Sequence, residues 1–190
     1  MPMASPRQAL FGPAAGMDRT VAILTAAGPP ARLARHADMA APLARALREA
    51  GEPGPFAGLE DETSALAGVL GELYAIFAAP TAGDTAERLN AALARHTGPL
   101  RLVEEPGAPW HLHAERRGDD SWAGWLAATC LTAMAIHFAE HGAPGFGVCA
   151  ASDCIQVYAQ TGPGRARHTC SPRCAGRRRQ AELRARRRAG

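Results

Sequence analysis

Four cysteines near the C-terminus have the type and spacing of metal ligands. Four residues separate the members of the first pair, fifteen separate the pairs, and three separate the members of the second pair. Structural zinc is held by four side chains, with zinc–sulfur bonds of about 2.3 Å, and two chain turns that each carry two cysteines supply such a set. A site closed by four thiolates leaves no open position for a substrate. The pattern therefore predicts one structural zinc ion, and no catalytic one, on Cys149, Cys154, Cys170 and Cys174.

An arginine-rich segment follows the last cysteine directly. Ser171 can cap a helix and Pro172 can occupy its first position, which places Cys174 in the first turn. Successive residues of a helix are rotated by about 100°, so four arginines of this helix lie within a stripe roughly 60° wide. We expect this row to contact phosphates. Arg178 and Arg179 are candidates for base-edge or groove contacts. The phosphate row consists of Arg173, Arg177, Arg184 and Arg188.

The charge of the chain is divided between its two parts. Residues 1–164 carry eleven arginines and seventeen carboxylates, a balance of −6, whereas residues 165–190 carry ten arginines and one carboxylate, Glu182, a balance of +9. A polyanion is the partner that this division favours, DNA before RNA, because Tyr158 is the only exposed aromatic residue expected there for stacking on single-stranded bases. One alternative is a zinc-stabilised protein-interaction module whose basic helix binds an acidic partner, including the acidic part of its own chain, and the charge division also favours self-association. A solvated tail is the alternative for residues after Leu183.

We expect Ala181 and Ala185 to share a stripe with Cys174 that faces the zinc and the rest of the protein. A helix with one docked edge and one row of guanidinium groups can lie along phosphates.

Composition indicates a mainly α fold with one β-hairpin. The chain has 190 residues, of which 47% are hydrophobic but only 5% aromatic, and alanine-rich helices can pack closely through small residues. We predict a helical N-terminal domain followed by a small four-cysteine zinc finger. The predicted divisions are 1–30, poorly ordered or with a short strand at Val21–Leu24; 31–144, a helical domain with a hairpin near 100–114; and 145–190, the finger with its basic helix. Below, residues 1–144 are called the body and residues 145–190 the finger.

Hydrophobic periodicity and capping residues predict the helices of the body. Two segments near residue 100 instead alternate apolar and polar side chains, which indicates the two strands of the hairpin. Asp84 followed by Glu87 suggests the N-terminal cap of the third helix. The predicted helices span 38–50, 64–77, 84–97 and about 119–141, and the strand segments are 100–103 and 110–113.

The apolar stretch 122–139 is the nearest candidate for a membrane span, but its alanine and threonine content favours a buried core helix, so we expect no membrane association. Residues 1–19 lack a signal-peptide pattern, which favours a cytoplasmic location. A disulfide framework would leave the fifth cysteine, Cys130, unpaired, and we expect Cys130 to lie in the core. A second metal or acid/base site at His111 and His113 is conceivable, although paired histidines on a hairpin are usually surface residues. We find no coherent catalytic constellation and expect no enzymatic activity.

The last forty residues resemble the CGNR-type zinc finger. The four cysteines match its ligand positions, Ser171 matches the serine of its second cysteine pair, and Arg177 matches the arginine of the motif. The preceding stretch, with Leu89-Asn-Ala-Ala-Leu-Ala and the Leu100-Arg-Leu-Val strand, is similar to the ABATE domain of stress-induced transcriptional regulators. Together the resemblances cover roughly residues 30–190. They imply a DNA-binding regulator whose N-terminal domain acts as a sensor of an unidentified effector or as an oligomerisation unit.

Overall fold

The computed structural model describes residues 13–29, 33, 39–52, 54–105, 108–116, 120–162, 164 and 166–189. Within these ranges it contains six helices and two antiparallel hairpins. The helices are α1 (Pro13–Ala27), α2 (Ala40–Glu49), α3 (Thr63–Phe77), α4 (Ala82–His96), α5 (Trp122–His141) and α6 (Pro172–Ala189). The hairpins pair β1 (Thr97–Glu105) with β2 (Ala108–Arg116), and β3 (Phe146–Val148) with β4 (Val157–Ala159). The prediction of a mainly α fold with a hairpin and a terminal four-cysteine finger is confirmed, and the short β3–β4 hairpin was not predicted.

The alanine-rich helix α5 lies at the centre of the body and packs against α1, α3 and α4. In the part of the chain that the structure describes, it is the one helix long and apolar enough to cross a membrane, and 72% of its apolar window is buried inside the protein. Small side chains such as Ala127 and Ala128 allow neighbouring backbones to approach closely. This burial agrees with the prediction of a core helix.

The start of α5 is fixed by a carboxylate that is distant in sequence. Glu62, just before α3, accepts hydrogen bonds from the backbone N–H groups of Trp122 and Ala123, each at 2.9 Å. Ser121 adds a cap by accepting from a backbone N–H one turn along the helix. A negative charge at a helix N-terminus also interacts favourably with the helix dipole. At the other end, Gly142 stops the helix in the left-handed conformation (φ 63°), as glycine commonly does.

The predicted strand at Val21–Leu24 is wrong, because these residues belong to α1. The four-residue apolar run is too short to reveal its period, but the buried positions around it recur every three or four residues, which is helical spacing. The buried positions with this spacing are Met17, Thr20, Ile23, Leu24 and Ala27. The prediction of poor order for residues 1–30 is also wrong for Pro13–Ala27, which form α1. Residues 1–12 and 30 lie outside the described residues.

Two predicted helix starts need adjustment. The cap of α4 is Thr81, whose hydroxyl accepts from the N–H of Asp84 at 3.1 Å and donates to its carboxylate. Asp84 is therefore the acid of the cap and not the cap itself, so the cap lies three residues earlier than predicted. For α2, the described helix begins at Ala40, and the predicted start at Asp38 lies outside the described residues.

A buried ion pair joins α1 to the turn after α2. The side chains of Arg19 and Glu52 are 6% and 4% exposed, and Arg19 Nη1 lies 2.5 Å from Glu52 Oε1. Fully buried Cys130 lies within electrostatic range of this pair, and burial raises the pKa of its thiol to about 11. A thiol in this state is inert, which agrees with the prediction that Cys130 is a core residue.

The β3–β4 hairpin of the finger packs into the hydrophobic core of the body. Phe146, Val157 and Ala159 belong to the same buried cluster as the body helices. The rings of Phe146 and Phe77 have centroids 4.7 Å apart. Burying a phenylalanine side chain contributes about 1.5–3 kcal/mol, so this hairpin attaches the finger to the body through apolar contact.

Polar contacts extend the same attachment. The hydroxyl of Tyr74 in α3 donates to the carbonyl of Ile155 at 2.9 Å, and the hydroxyl of Thr161 donates to Asp18 in α1 at 3.0 Å. These bonds lie on either side of β4. Helices α1 and α3 of the body therefore both hold the segment that follows the first cysteine pair.

The chain enters the finger through Gly145, a position at which any side chain would be strained. Gly145 has φ of 60°, and a Cβ at this position would lie 2.8 Å from Nε2 of the buried His137. His137 also stacks on His141, with ring centroids 4.1 Å apart, and burial lowers its pKa. The boundary between body and finger at residue 145 remains a prediction. Gly145 itself packs against His137 of α5.

Candidate metal centre

The structure brings the sulfurs of all four predicted ligands together. Cys154 and Cys170 have Sγ atoms 3.7 Å apart, Cys170 and Cys174 3.5 Å, and Cys174 and Cys154 3.8 Å. Every ligand atom of the set, including that of Cys149, lies within 4.8 Å of the others. A tetrahedron with zinc–sulfur bonds of about 2.3 Å has corners about 3.8 Å apart. The four thiolates therefore fit one tetrahedral zinc ion.

The first cysteine pair lies on a tight turn. Cys149 donates its backbone N–H to Gln156 at 2.8 Å, and Cys154 donates to the carbonyl of Ala151 at 3.2 Å. Asp153 has φ of 59°, and among the described residues it is the one non-glycine with a positive φ. Aspartate is one of the few residues that adopt this conformation readily. This turn directs the second sulfur back towards the first.

The second cysteine pair is held by the start of α6. The hydroxyl of Ser171 accepts from the backbone N–H of Cys174 at 3.2 Å, and Pro172 is the first helical residue. These contacts confirm the predicted cap and place Cys174 in the first turn. The two turns are also bonded to each other, since the backbone N–H of Cys170 donates to the sulfur of Cys149 at 3.4 Å.

Arg177 lies against the metal site. Its Nη2 donates to the sulfur of Cys174 at 3.1 Å. Hydrogen bonds from Ser171 and then from Arg177 lower the pKa of the Cys174 thiol to about 6, whereas burial, followed by the neighbouring thiols, raises that of Cys170 to about 12. Four thiolates and one Zn²⁺ leave two negative charges, and the guanidinium of Arg177 offsets part of this excess. The motif arginine therefore supports the zinc ligands, and its predicted phosphate contact remains a prediction.

Arg167 connects the hairpin of the finger to the second cysteine pair. Its guanidinium donates to the carbonyls of Thr169 at 2.8 Å and Cys170 at 2.6 Å, and more weakly to that of Ala159 at 3.4 Å. Its backbone N–H donates to the side chain of Gln160 at 3.0 Å. The sequence identifies Arg167 only as a positive charge. Its structural role could not be predicted, because the carbonyls that it binds come together only in the folded finger.

The second half of α6 projects into solvent. Every residue from Arg179 to Arg188 is exposed. The prediction that Ala181 and Ala185 face the zinc and the body is therefore wrong. At about 1.5 Å per residue, Ala181 lies roughly 10 Å beyond Cys174 along the helix axis, where the finger no longer provides a neighbouring surface.

The six arginines predicted to bind nucleic acid do not have the same surroundings. Arg178 makes an ion pair with Glu182, with Nε and Oε1 3.4 Å apart, and Arg177 is bonded to the zinc site. The others lie on the exposed surface of α6, Arg173 in its first turn, Arg179 near its middle and the remaining two in its second half. These others are Arg173, Arg179, Arg184 and Arg188.

No second metal site is seen in the described ranges, where the four cysteines are the one set of converging ligands. The conceivable site at His111 and His113 stays untested, because the side chain of His111 lies outside what the structure describes. On β2, His113 is paired in register with Arg101, and Arg101 forms an ion pair with Glu115.

The model of the CGNR zinc finger family matches residues 146–187, the segment that holds all four sulfurs, both turns and most of α6. No curated protein is similar enough to the chain to count as a relative. The family match and the geometry agree on the same ligands. The C-terminal segment is therefore a zinc-binding module with a single structural zinc site.

We predict that the purified protein binds one zinc ion per chain, and that Cys154→Ser and Cys174→Ser each abolish this binding, because three thiolates do not close a structural site. Cys130→Ala is the matched control, since Cys130 is buried in the body, and it should retain the ion. Metal analysis after dialysis against a weak chelator measures the content. Retention of a full equivalent by either serine variant would contradict the ligand assignment.

Arg177→Ala should weaken zinc binding by about 10- to 100-fold, the usual effect of removing a group that bonds to a metal ligand. The loss should grow as the pH falls below 7, because the Cys174 thiol then has a higher pKa and protons compete more effectively with zinc. Competition with a chromophoric chelator measures the affinity. Arg173→Ala removes the same charge one turn earlier and should leave zinc affinity unchanged. Equal effects of the two substitutions would mean that Arg177 acts only through the overall charge.

Proposed function

We propose that this protein is a DNA-binding transcriptional regulator, in which the zinc site holds the arginine-rich helix α6 in position on duplex DNA. The observation that carries the proposal is the exposure of α6 from Arg179 to Arg188. This segment of ten residues contains Arg179, Arg184, Arg186, Arg187 and Arg188, and one carboxylate, Glu182. A helix with this charge and no apolar docking face has the properties of a surface that binds phosphates.

The charge of the remaining protein supports the same assignment. Residues 1–164 carry a balance of −6, so the cationic character is confined to the finger. DNA would approach the finger and be repelled by much of the body, which favours one orientation of binding. The zinc site has four protein ligands and performs no chemistry on a substrate, and we propose that the protein is not an enzyme.

The role of the body rests on the resemblance of residues 31–144 to the ABATE domain. By that resemblance we propose that the body senses an effector and that the protein regulates transcription in response to stress. Firm attachment of the finger to α1 and α3 supports such coupling, because a change in either helix would move the segment that follows the first cysteine pair. A cytoplasmic location is proposed from the lack of a signal-peptide pattern in residues 1–19.

DNA binding should depend strongly on salt. If four to six phosphates are neutralised, log affinity should fall against log salt concentration with a slope of about −4 to −5. Mobility-shift titrations of the full-length, zinc-loaded protein at several salt concentrations give the slope. Cys174→Ser should lose most of the affinity, since α6 is then no longer held by zinc. An affinity that does not change with salt would contradict the electrostatic mechanism, and full binding by the zinc-free variant would contradict the role of the metal.

Self-association through the β1–β2 hairpin is a second proposed activity. One face of the ribbon carries exposed apolar side chains. Leu100 and Leu102 alternate along β1, and Trp110 on β2 lies two residues from Leu112, the partner of Leu102. Their exposed fractions are 56%, 66% and 63% for Leu100, Leu102 and Trp110. Opposite Leu100 and Leu102 in register are Ala114 and Leu112. A two-stranded hairpin is marginally stable alone and has two unpaired edges. A second copy of the chain fits, because this apolar face can pack on itself about a two-fold axis.

Sedimentation of the full-length protein over a range of concentrations tests this pairing. We expect a concentration-dependent dimer that Leu102→Gln disrupts, because a polar side chain would then lie in the apolar interface. Leu183→Gln is the matched control, since Leu183 is 55% exposed but lies on α6, and it should dimerise normally. A monomer at all concentrations, or equal effects of the two variants, would exclude the hairpin as the interface.

A further inference from the structure

We propose that α6 lies in the major groove of B-form DNA, with Gln180 and Arg184 facing the base edges and Glu182 facing away. This inference rests on the proposed DNA binding and specifies which face of the helix reads the sequence. It assigns the base edges to Gln180 and Arg184 in place of Arg178 and Arg179, which the sequence suggested for that role. It predicts that the protein is sequence-specific and that its site contains an adenine and a guanine that are adjacent or one base pair apart.

The arrangement of charges around α6 defines two unlike faces. At about 100° per residue, Gln180 and Arg188 each lie about 40° from Arg184, and Arg173 lies about 20° from it. The one carboxylate of the helix, Glu182, lies about 160° from Arg184 and forms an ion pair with Arg178. The face centred on Arg184 therefore carries donors without an acid, and the opposite face carries the acid.

The exposure of the helix fits a groove better than a flat surface. A helix in the major groove, which is about 12 Å wide, has DNA on three sides. Residues 179–188 are exposed all round, so none of the residues that the structure describes obstructs such an approach. From Arg173 to Arg188 the helix extends about 22 Å, and these two residues at the ends of the face can reach the flanking phosphates while the middle of the helix reaches the bases.

The chemistry of the middle residues specifies what they can bind. Glutamine forms two hydrogen bonds with N6 and N7 of adenine, and arginine forms two with O6 and N7 of guanine. Gln180 and Arg184 are separated by about 6 Å along the axis. That distance corresponds to about two base-pair steps, so the two bases should be adjacent or one pair apart.

Selection from a pool of random duplexes tests the orientation, using the full-length, zinc-loaded protein. The matched pair is Arg184→Ala and Arg186→Ala, which remove the same charge from exposed positions about 160° apart. We expect Arg184→Ala to lose the guanine preference and about 5- to 150-fold of the affinity for the selected site. Arg186→Ala should select the same site as the unaltered protein. Gln180→Ala, which changes no charge, should lose the adenine preference while the affinity for random duplex stays the same.

Each other outcome contradicts a definite part of the proposal. Equal losses from Arg184→Ala and Arg186→Ala, with no sequence selected by the unaltered protein, would mean that α6 binds phosphates without a fixed orientation. Equal affinity for an RNA duplex of the selected sequence would exclude major-groove binding, because the major groove of A-form RNA is too deep and narrow for side chains to read. Failure of the unaltered protein to bind any duplex would instead contradict the proposed function itself. Zinc content and helicity of each variant establish that the finger is intact.

Discussion

Convergence of four sulfurs on one dication is the constraint on which the finger depends. The ligand atoms lie within 4.8 Å of one another, a separation at which four thiolates repel strongly unless a cation lies among them. Hydrogen bonds from Ser171 and Arg177 lower the pKa of the Cys174 thiol, and burial raises that of Cys170, so deprotonation of Cys174 is favoured over that of Cys170. Zinc replaces the remaining protons, and Arg177 offsets part of the residual negative charge.

The zinc site alone does not fix the direction of α6, because its orientation also depends on how the finger is attached to the body. Phe146 and Val157 lie in the main core, and Tyr74 holds the backbone of the first cysteine pair through Ile155. Removing the finger from the body would expose this apolar surface. The basic helix is thus connected to α1 and α3 through packed side chains, which is a physical route by which a change in the body could alter the position of the helix.

Sequence reasoning succeeded where the geometry is local. The spacing of the cysteines and the start of α6 at Ser171 depend on residues within one or two turns of the chain, so they could be predicted. Three other features were missed for different reasons. Glu62 caps α5 from sixty residues away, which no local pattern reveals. Arg167 binds carbonyls two, three and eight residues away that converge only in the folded finger, and the buried stripe of α1 becomes visible only over a stretch longer than Val21–Leu24. Solvent exposure of Ala181 could not be inferred either, because it depends on where the finger ends.

The zinc site also explains how a helix with so few neighbours can form. An isolated helix must first fix a turn at an unfavourable free energy, and in water short helices are marginal. In α6 the first turn is fixed by the Ser171 cap, by Pro172 and by the ligation of Cys174, so the later residues only extend an existing helix. Repulsion among its arginines opposes this extension, and the ion pair of Arg178 with Glu182 relieves it at one place. Phosphates along the exposed face would reduce the remaining repulsion among the arginines. The proposed binding to DNA and the stability of the helix should therefore reinforce each other.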